Sequence, residues 1–266
     1  MPELAEVESW RKLAEREIQG KVIQSVFTTE DDIVFDQVKP KTFAKQLKGK
    51  TVNEILRKGK HLWMDCGTAC QPYFHFGMSG SFYVYTDTAE RSKWVKAELL
   101  MEDGTRLAYQ NKRRIGKVRF HDDATAVPPI SKLGFDPYLD MPAISVFREK
   151  LGKRKSPIKS VLLDQAFAAG VGNWIADEIL YQGKIHPKTH ACDLSDAQIK
   201  LVKSKMKSII DLAVRVDADD SKFPKSWLFH SRWGKNLEAT THDGKRIEFL
   251  TIGGRTTAYV PELQKA

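Results

Sequence analysis

The stretch SPIKSVLLDQAFAAGVGNWIADEILYQGKIHP, residues 156–187, carries the most specific pattern in this chain. Helical spacing and capping predict one helix over residues 157–165 and a second over residues 174–182, with a glycine-containing turn between them. The pattern therefore predicts two helices whose connection is short and whose second helix starts at a fixed point.

Four residues of this stretch favour phosphate binding at that point. Gly170 and Gly172 would let backbone N–H groups approach a phosphate closely, where the second helix also presents its N-terminus. Asn173 supplies an amide donor, and Lys159 adds a positive charge on the preceding helix. The alternative is a simple helix end and turn, and we favour the phosphate clamp over it.

The residues before this stretch have the pattern of a β-rich unit that begins with a helix. Apolar residues recur at three- and four-residue steps from Glu3 to about Ile18, which predicts a helix that starts almost at residue 2. Residues 21–122 alternate in strand-like runs, with a hairpin signal at Asp103-Gly104. The Pro-rich segment 126–137 breaks both periodicities and is typical of a linker.

Downstream, helices are predicted over residues 143–151 and 195–215, with Ser195 as N-cap and Gly183 ending the preceding helix. Apolar alternation around Asp243-Gly244 predicts a closing β-hairpin. The fold class is therefore α+β and multi-domain. Its expected domains are a β-sandwich domain with an N-terminal helix, a helical domain and a terminal hairpin domain, at residues 1–127, 128–220 and 221–266.

Composition narrows the function classes. Lys and Arg outnumber Asp and Glu by 43 to 34 in 266 residues, giving a formal charge of +9, which favours a phosphate-bearing partner without proving one. The cysteines Cys66, Cys70 and Cys192 lack paired metal spacing. No secretory leader or membrane-length apolar run is visible, so we expect an intracellular protein, in a bacterial cytoplasm or a eukaryotic nucleus, without membrane contact.

The opening MPELAEVE, residues 1–8, has two interpretations. It is an ordinary helix start, with Pro and acids in the first turn. Alternatively, removal of Met1 leaves Pro2 as a secondary amine with a pKa of about 8, partly neutral at neutral pH. Such an amine condenses with a sugar C1′ to a cationic iminium, and the adjacent Glu3 could carry protons.

This opening resembles MPELPEVE of the formamidopyrimidine-DNA glycosylase and endonuclease VIII family, with Ala5 in place of the second proline. RKGKHLW, HFGMSG and NKRRIGKVRF resemble further motifs of that family. Without the resemblance, Lys60 would be an ordinary strand lysine and Met78 core filler. The stretch at 156–187 resembles the family's helix-two-turn-helix motif.

The resemblance implies a role for each matching residue. Lys60 would hold the lesion phosphate beside the amine, and Met78 would fill the space left by an extruded nucleotide. Arg113 would enter the duplex opposite the lesion, next to Ile115, which stands where many members carry phenylalanine. Glu178 matches an acid that approaches the catalytic amine.

The end of the chain departs from the members that carry a four-cysteine zinc finger. In RTTAYVPELQK, residues 255–265, Val260 and Leu263 stand at the positions of the last two zinc cysteines and cannot ligate a metal. The segment resembles the zincless finger of plant, fungal and animal relatives. Arg255 then corresponds to the finger arginine that grips lesion phosphates.

The resemblance implies a DNA glycosylase and AP lyase that acts on damaged double-stranded DNA as a monomer, without metal or organic cofactor. It would excise oxidised or ring-opened bases and cleave the strand by β- and δ-elimination. A catalytically silent DNA-binding protein is the rival, because such helical motifs also occur in proteins that only grip nucleic acid. The segment 217–226 is shorter than a capping loop, which predicts a preference for ring-opened or saturated bases over 8-oxoguanine.

Overall fold

The structure is a computed structural model, and it describes residues 2–265. The chain divides into two compact units, the first ending at Lys132 and the second beginning at Leu133. Each unit has its own secondary structure and is described by itself.

Within residues 2–132 the first unit contains two α-helices and eight strands. The helices are α1 (Leu4–Ile18) and α2 (Pro40–Leu47), and the strands are β1 (Ile23–Thr28), β2 (Glu54–Lys58), β3 (His61–Asp65), β4 (Gln71–His75), β5 (Gly80–Tyr85), β6 (Val95–Met101), β7 (Arg106–Asn111) and β8 (Lys117–His121). They form two four-stranded antiparallel sheets, ordered β1-β6-β7-β5 and β2-β3-β4-β8.

The two sheets bury their inner faces in one shared core. Leu99 and Leu107 from the first sheet and Leu62 and Phe74 from the second belong to the same cluster of buried side chains. Sheets joined in this way form a β-sandwich. The predicted sandwich and the N-terminal helix are confirmed.

In this unit one predicted turn is found in the structure, and one helix is found that the sequence analysis did not predict. The Asp103-Gly104 pair does turn the chain between β6 and β7, closed by a 2.8 Å hydrogen bond from Met101 N to the carbonyl of Thr105. Helix α2 was not predicted. It starts with Pro40 at its first turn and buries Phe43 in the sandwich core, so proline here begins a helix inside a β-rich region.

As far as residue 265, the second unit contains four α-helices and a two-stranded hairpin. They are α3 (Ile144–Gly152), α4 (Ile158–Leu163), α5 (Asn173–Gln182) and α6 (Asp196–Arg215), followed by β9 (Glu248–Ile252) and β10 (Arg255–Tyr259). Ser195 caps α6 in a capping box with Gln198, and Gly183 is the C-cap of α5, both as predicted. None of the helices in residues 2–265 is long and apolar enough to cross a membrane.

The turn of the terminal hairpin was predicted at the wrong glycine. Strands β9 and β10 are joined through Gly253 and Gly254, which have φ values of +56° and +71°. Two positive φ angles are what a tight two-residue hairpin turn requires. Asp243-Gly244 makes a separate turn earlier in the chain, closed by a 2.8 Å hydrogen bond from Thr241 N to the carbonyl of Lys245.

Candidate functional site

The start of α1 holds the first two candidate residues. Pro2 is half-buried, and Glu3 is the buried N-cap residue of the helix. Glu3 and Glu6 form a capping box, in which a carboxylate oxygen of Glu6 accepts a 2.9 Å hydrogen bond from the backbone N–H of Glu3. This box fixes the backbone that carries Pro2 and keeps the Glu3 carboxyl at the positive end of the helix dipole.

The turn that carries Lys60 is anchored to the same helix. Gly59 and Lys60 form the two-residue turn between β2 and β3. The buried guanidinium of Arg57 donates a 2.9 Å hydrogen bond to the carbonyl of Gly59 and a 2.6 Å hydrogen bond to the carboxylate of Glu8 on α1. Because both ionised groups are buried, removal of either partner would be strongly destabilising. The Lys60 turn is thereby held beside the first turns of α1.

Two histidines near Lys60 are held neutral. Burial, the neighbouring His75 ring and the positive charge of Lys60 lower the pKa of His61 to about 3. Burial and Lys60 also lower the pKa of His75 to about 4. The two rings stack with centroids 5.0 Å apart. At neutral pH both imidazoles are therefore uncharged.

Met78 and Ile115 are exposed apolar side chains on two touching loops. Their exposed fractions are 40% and 42%. A Cβ at Gly77 would lie 2.7 Å from the backbone nitrogen of Gly116 and 2.8 Å from the carbonyl carbon of Ile115, so only glycine permits this approach. Arg113 joins the loops as well, because its backbone N–H donates a 3.2 Å hydrogen bond to Ser79 Oγ. The structure thus brings the three predicted stack-filling residues together.

The cations of this loop are not equivalent. The Arg114 guanidinium pairs with both carboxylate oxygens of Asp31, at 2.9 and 3.0 Å. The Lys112 ammonium lies 5.5 Å from the ring centroid of Trp94. The exposed side chain of Arg113 makes no hydrogen bond or ion pair with any other part of residues 2–265. Arg113 is therefore the guanidinium of this loop that no other side chain in residues 2–265 engages.

In the second unit, the helix-two-turn-helix stretch begins α5 at Asn173, directly after Gly172. The Asn173 side-chain amide donates a 2.8 Å hydrogen bond to the carbonyl of Thr256 on β10. The N–H of Gly170 donates a 3.0 Å hydrogen bond to the Gln165 side chain. Gly170 therefore serves the turn itself, and the expectation that its N–H is open to a phosphate is not met.

Lys159 differs from its predicted position. Its side chain is completely buried, where it ion-pairs with Asp177 and donates a 2.9 Å hydrogen bond to the carbonyl of Asn173. A buried ammonium needs such partners, because desolvation without them would be costly. Lys159 consequently supports the start of α5 from inside, and the predicted direct phosphate contact needs correction to an indirect role.

Arg255 lies at the exposed tip of the hairpin, as the first residue of β10. A Cβ at Gly253 would lie 3.4 Å from Ser160 Oγ, so the turn contacts α4. Val260 is buried and Leu263 half-buried in an apolar cluster with Leu228, Ala239, Ile247 and Ala258. Within residues 2–265 no group of three or more His, Cys, Asp or Glu side chains is arranged to hold a metal ion.

Glu178 is a buried acid with an unusual titration. Its carboxylate oxygens accept a 3.0 Å hydrogen bond from the backbone N–H of Phe229 and a 2.8 Å hydrogen bond from the Gln182 amide. Burial raises the pKa of Glu178 from 4.5 to about 7, although both hydrogen bonds favour the charged form. A carboxyl with this pKa exchanges protons at neutral pH, as general acid-base groups do.

One residue that the sequence analysis missed is Asp177, next to Glu178. It is fully buried and pairs with Lys159 and with Arg232, whose guanidinium nitrogens lie 3.0 and 2.5 Å from Asp177 Oδ2. The signal in the sequence was a second acid, directly before Glu178, among the apolar residues between Trp174 and Leu180. Its partners lie 18 residues before it and 55 residues after it, where local periodicity gives no information.

Comparison with known proteins identifies the family. Three family models match in order: the formamidopyrimidine-DNA glycosylase N-terminal domain over residues 1–118, the H2TH domain of the same enzyme over residues 133–225, and the formamidopyrimidine-DNA glycosylase-like C-terminal domain over residues 227–261. A formamidopyrimidine-DNA glycosylase of Arabidopsis thaliana is 44% identical over 278 residues, covering 100% of this chain and 71% of the relative. The chain belongs to the formamidopyrimidine-DNA glycosylase family.

Bacterial members of the family are also similar over the whole length. The formamidopyrimidine-DNA glycosylase of Bacillus subtilis is 30% identical over 276 residues, with 99% of each chain covered. The crystal structure of the Lactococcus lactis enzyme, non-covalently bound to DNA containing an AP site, has a TM-score of 0.86 at 28% identity. That match covers 99% of this chain and 100% of the other. The predicted family and α+β fold class are confirmed.

Proposed function

We propose that this member of the formamidopyrimidine-DNA glycosylase family removes oxidised or ring-opened bases from double-stranded DNA and then cleaves the strand at the abasic site. The observation that carries the proposal is the start of α1, where the capping box fixes Pro2 and Glu3 and the Arg57–Glu8 ion pair anchors the Lys60 turn to the same helix. The family membership and the 44% identity to a relative of that name support it.

The amine of Pro2, after removal of Met1, attacks C1′ of the damaged nucleotide. The bond from C1′ to the base breaks, and the base leaves with a proton from Glu3. The deoxyribose ring then opens, the proton of the amine passes to O4′, and an iminium forms between Pro2 and C1′. The iminium accepts the electron pair left when a proton is removed from C2′, and the 3′ phosphate leaves. Loss of the C4′ proton and of the 5′ phosphate completes δ-elimination.

The other residues hold the DNA during these steps. Lys60 and Arg255 bind phosphates at the lesion, and Asn173 binds a backbone phosphate at the start of α5. Met78, Arg113 and Ile115 fill the space of the extruded nucleotide, which reduces the cost of lost stacking. The net charge of +9 favours a binding affinity that falls with salt.

Three further assignments belong to the proposal. Residues 1–127 form the catalytic sandwich domain, residues 128–220 the helical DNA-binding domain and residues 221–266 the zincless finger. The hairpin and the helices belong to one compact unit. We therefore place the boundary between residues 220 and 221 by proposed function and not by compactness. We also propose that the protein works as a monomer inside the cell, away from membranes.

The test is strand cleavage with a duplex that carries one formamidopyrimidine lesion, in the presence of a chelator. The proposal expects a one-nucleotide gap with phosphate on both ends. Tight binding of the duplex without base release or cleavage would overturn it and favour the catalytically silent DNA-binding protein.

A further inference from the structure

One edge of β10 is bonded to side chains instead of to another strand. The opposite edge pairs with β9. On the outer edge, the carbonyl of Thr256 accepts from Asn173 at 2.8 Å, and the N–H of Ala258 donates to Asp177 Oδ2 at 3.2 Å. Asn173 and Asp177 are four residues apart, so they lie on the same face of α5. Helix α5 therefore takes the place of a neighbouring strand.

Asp177 is the centre of this arrangement. One carboxylate oxygen pairs with Lys159, and the other accepts from both Arg232 and the N–H of Ala258. The Lys159 ammonium also donates to the carbonyl of Asn173 at 2.9 Å. The side chains of Lys159 and Asp177 are 0% exposed and that of Arg232 is 4% exposed. A carboxylate between two buried cations is costly to disturb, because each partner would be left unpaired.

Arg255 has no such support of its own. Its side chain makes no hydrogen bond or ion pair with the rest of residues 2–265, so its position depends on the backbone of β10. The nearest fixed points of that backbone are Thr256 and Ala258, which α5 holds through Asn173 and Asp177. The tip of the finger and the start of α5 are thus parts of one rigid element.

We propose that Asp177 is a positioning residue that sets the distance between Arg255 and the α5 N-terminus, so that the two hold neighbouring phosphates of one DNA strand together. This inference rests on the proposed DNA function. An apolar contact would hold the hairpin onto α5 as firmly, but it would not fix the strand's register along the helix. Hydrogen bonds to alternate residues of β10 do fix that register.

The experiment is a double-mutant cycle on DNA binding. Dissociation constants are measured over a range of salt for a duplex with an uncleavable tetrahydrofuran abasic analogue. The proteins are wild type, Asp177→Asn, Arg255→Ala and the double variant. Asp211→Asn removes a half-exposed acid on α6 and is the charge-matched control. Melting temperatures are recorded, and binding is measured well below them.

If Asp177 acts through Arg255, each single variant weakens binding by roughly tenfold and lowers the salt slope by about one. The double variant then binds no more than about twofold more weakly than Arg255→Ala, because both substitutions remove the same contact between Arg255 and DNA. The inference would be overturned if the fold-changes of the two single variants multiplied in the double variant. It would also be overturned if Asp177→Asn bound DNA with the affinity and salt slope of the wild type.

A second variant keeps the test decisive if Asp177→Asn does not fold. Lys159→Met, Asp177→Leu and Arg232→Met together replace the buried ions by apolar side chains of similar size, which proteins tolerate. The triple variant is expected to fold and still to lose the contribution of Arg255. Full retention of that contribution would contradict the inference. Failure of the wild-type protein to bind the damaged duplex would instead refute the proposed function.

Discussion

The side-chain amide of Asn173 donates a 2.8 Å hydrogen bond to the carbonyl of Thr256, the residue that follows Arg255. Asn173 is the first residue of α5, and Arg255 is the first residue of β10. This hydrogen bond, together with the one from Ala258 N–H to Asp177, joins the two elements from which we expect phosphate contacts in the second unit. It occupies one of the two N–H donors of the Asn173 amide, so the expected phosphate contact rests on the other N–H and on the helix N-terminus that Asn173 begins.

Arg113 and Arg114 are adjacent arginines with different predicted phenotypes. Arg113→Ala should weaken binding to lesion-bearing duplex by roughly tenfold, since it removes an exposed guanidinium that we propose enters the duplex, and should leave the melting temperature unchanged. Arg114→Ala should lower the melting temperature and affect binding less, because it breaks the pair with Asp31. Fluorescence anisotropy and thermal unfolding of both variants check this. The reverse assignment would show that the loop has been misinterpreted.

The buried Glu178 should make stability depend on pH in a defined direction. Its folded-state pKa of about 7 lies above the unfolded value of 4.5, so the folded state binds more protons in that interval. The free energy of unfolding is therefore highest below the unfolded pKa, where Glu178 is protonated in both states. It falls as the pH rises towards 7, because the buried carboxyl then loses its proton. Between about pH 4 and about pH 8, the free energy of unfolding of Glu178→Gln should rise by about 3 kcal/mol relative to that of the wild type.

Urea unfolding of both proteins across this range measures the difference directly. Glu238→Gln changes an exposed acid and serves as the control. A pH-independent difference between wild type and Glu178→Gln would mean that the Glu178 carboxyl titrates normally.

The finger should hold its shape without metal. Val260 and Leu263 lie in an apolar cluster at the positions where other members carry zinc cysteines. Metal analysis of the purified protein should find no stoichiometric zinc, and a chelator should leave strand cleavage unchanged. A Cys66→Ser, Cys70→Ser variant controls for adventitious binding to the two neighbouring buried thiols. One tightly bound zinc per chain in that variant would contradict the prediction.

Lesion preference should follow from the short segment 217–226. Few protein groups are available there to close over an extruded purine and bind its Watson–Crick edge. Ring-opened and saturated bases stack poorly and cost less to extrude. Single-turnover rates should therefore rank formamidopyrimidine or hydantoin above 8-oxoguanine opposite cytosine by roughly tenfold, about 1.4 kcal/mol in barrier. Fastest removal of 8-oxoguanine would refute this argument and leave the family assignment intact.

The features predicted correctly from the sequence are those encoded locally. Helix α1 and helix α6 follow from apolar periodicity, and Ser195 follows from capping chemistry. Helix α2 was not predicted because it is only eight residues long and lies among strands. The Gly253-Gly254 turn escaped because Asp243-Gly244 gives the more familiar hairpin signal ten residues earlier.

The candidate site was predictable where motifs are contiguous and not where partners are distant. Met78, Arg113 and Ile115 were named from short motifs, and the structure does place them on touching loops. Lys159 was wrongly expected at the surface, since a lysine on a short helix is usually solvated. Its burial depends on Asp177, which only the packing of α4 against α5 brings near.

In the proposed reaction the Pro2 nitrogen forms the covalent bond to DNA. Borohydride reduction of the protein with abasic-site duplex, followed by mass spectrometry of the digested complex, locates that bond. We predict a sugar adduct on the peptide that begins with Pro2, and no trapped complex for a chain extended at its N-terminus, which should still bind DNA. Undiminished trapping by a chain that retains Met1, or an adduct on a lysine, would show that Pro2 is not the nucleophile.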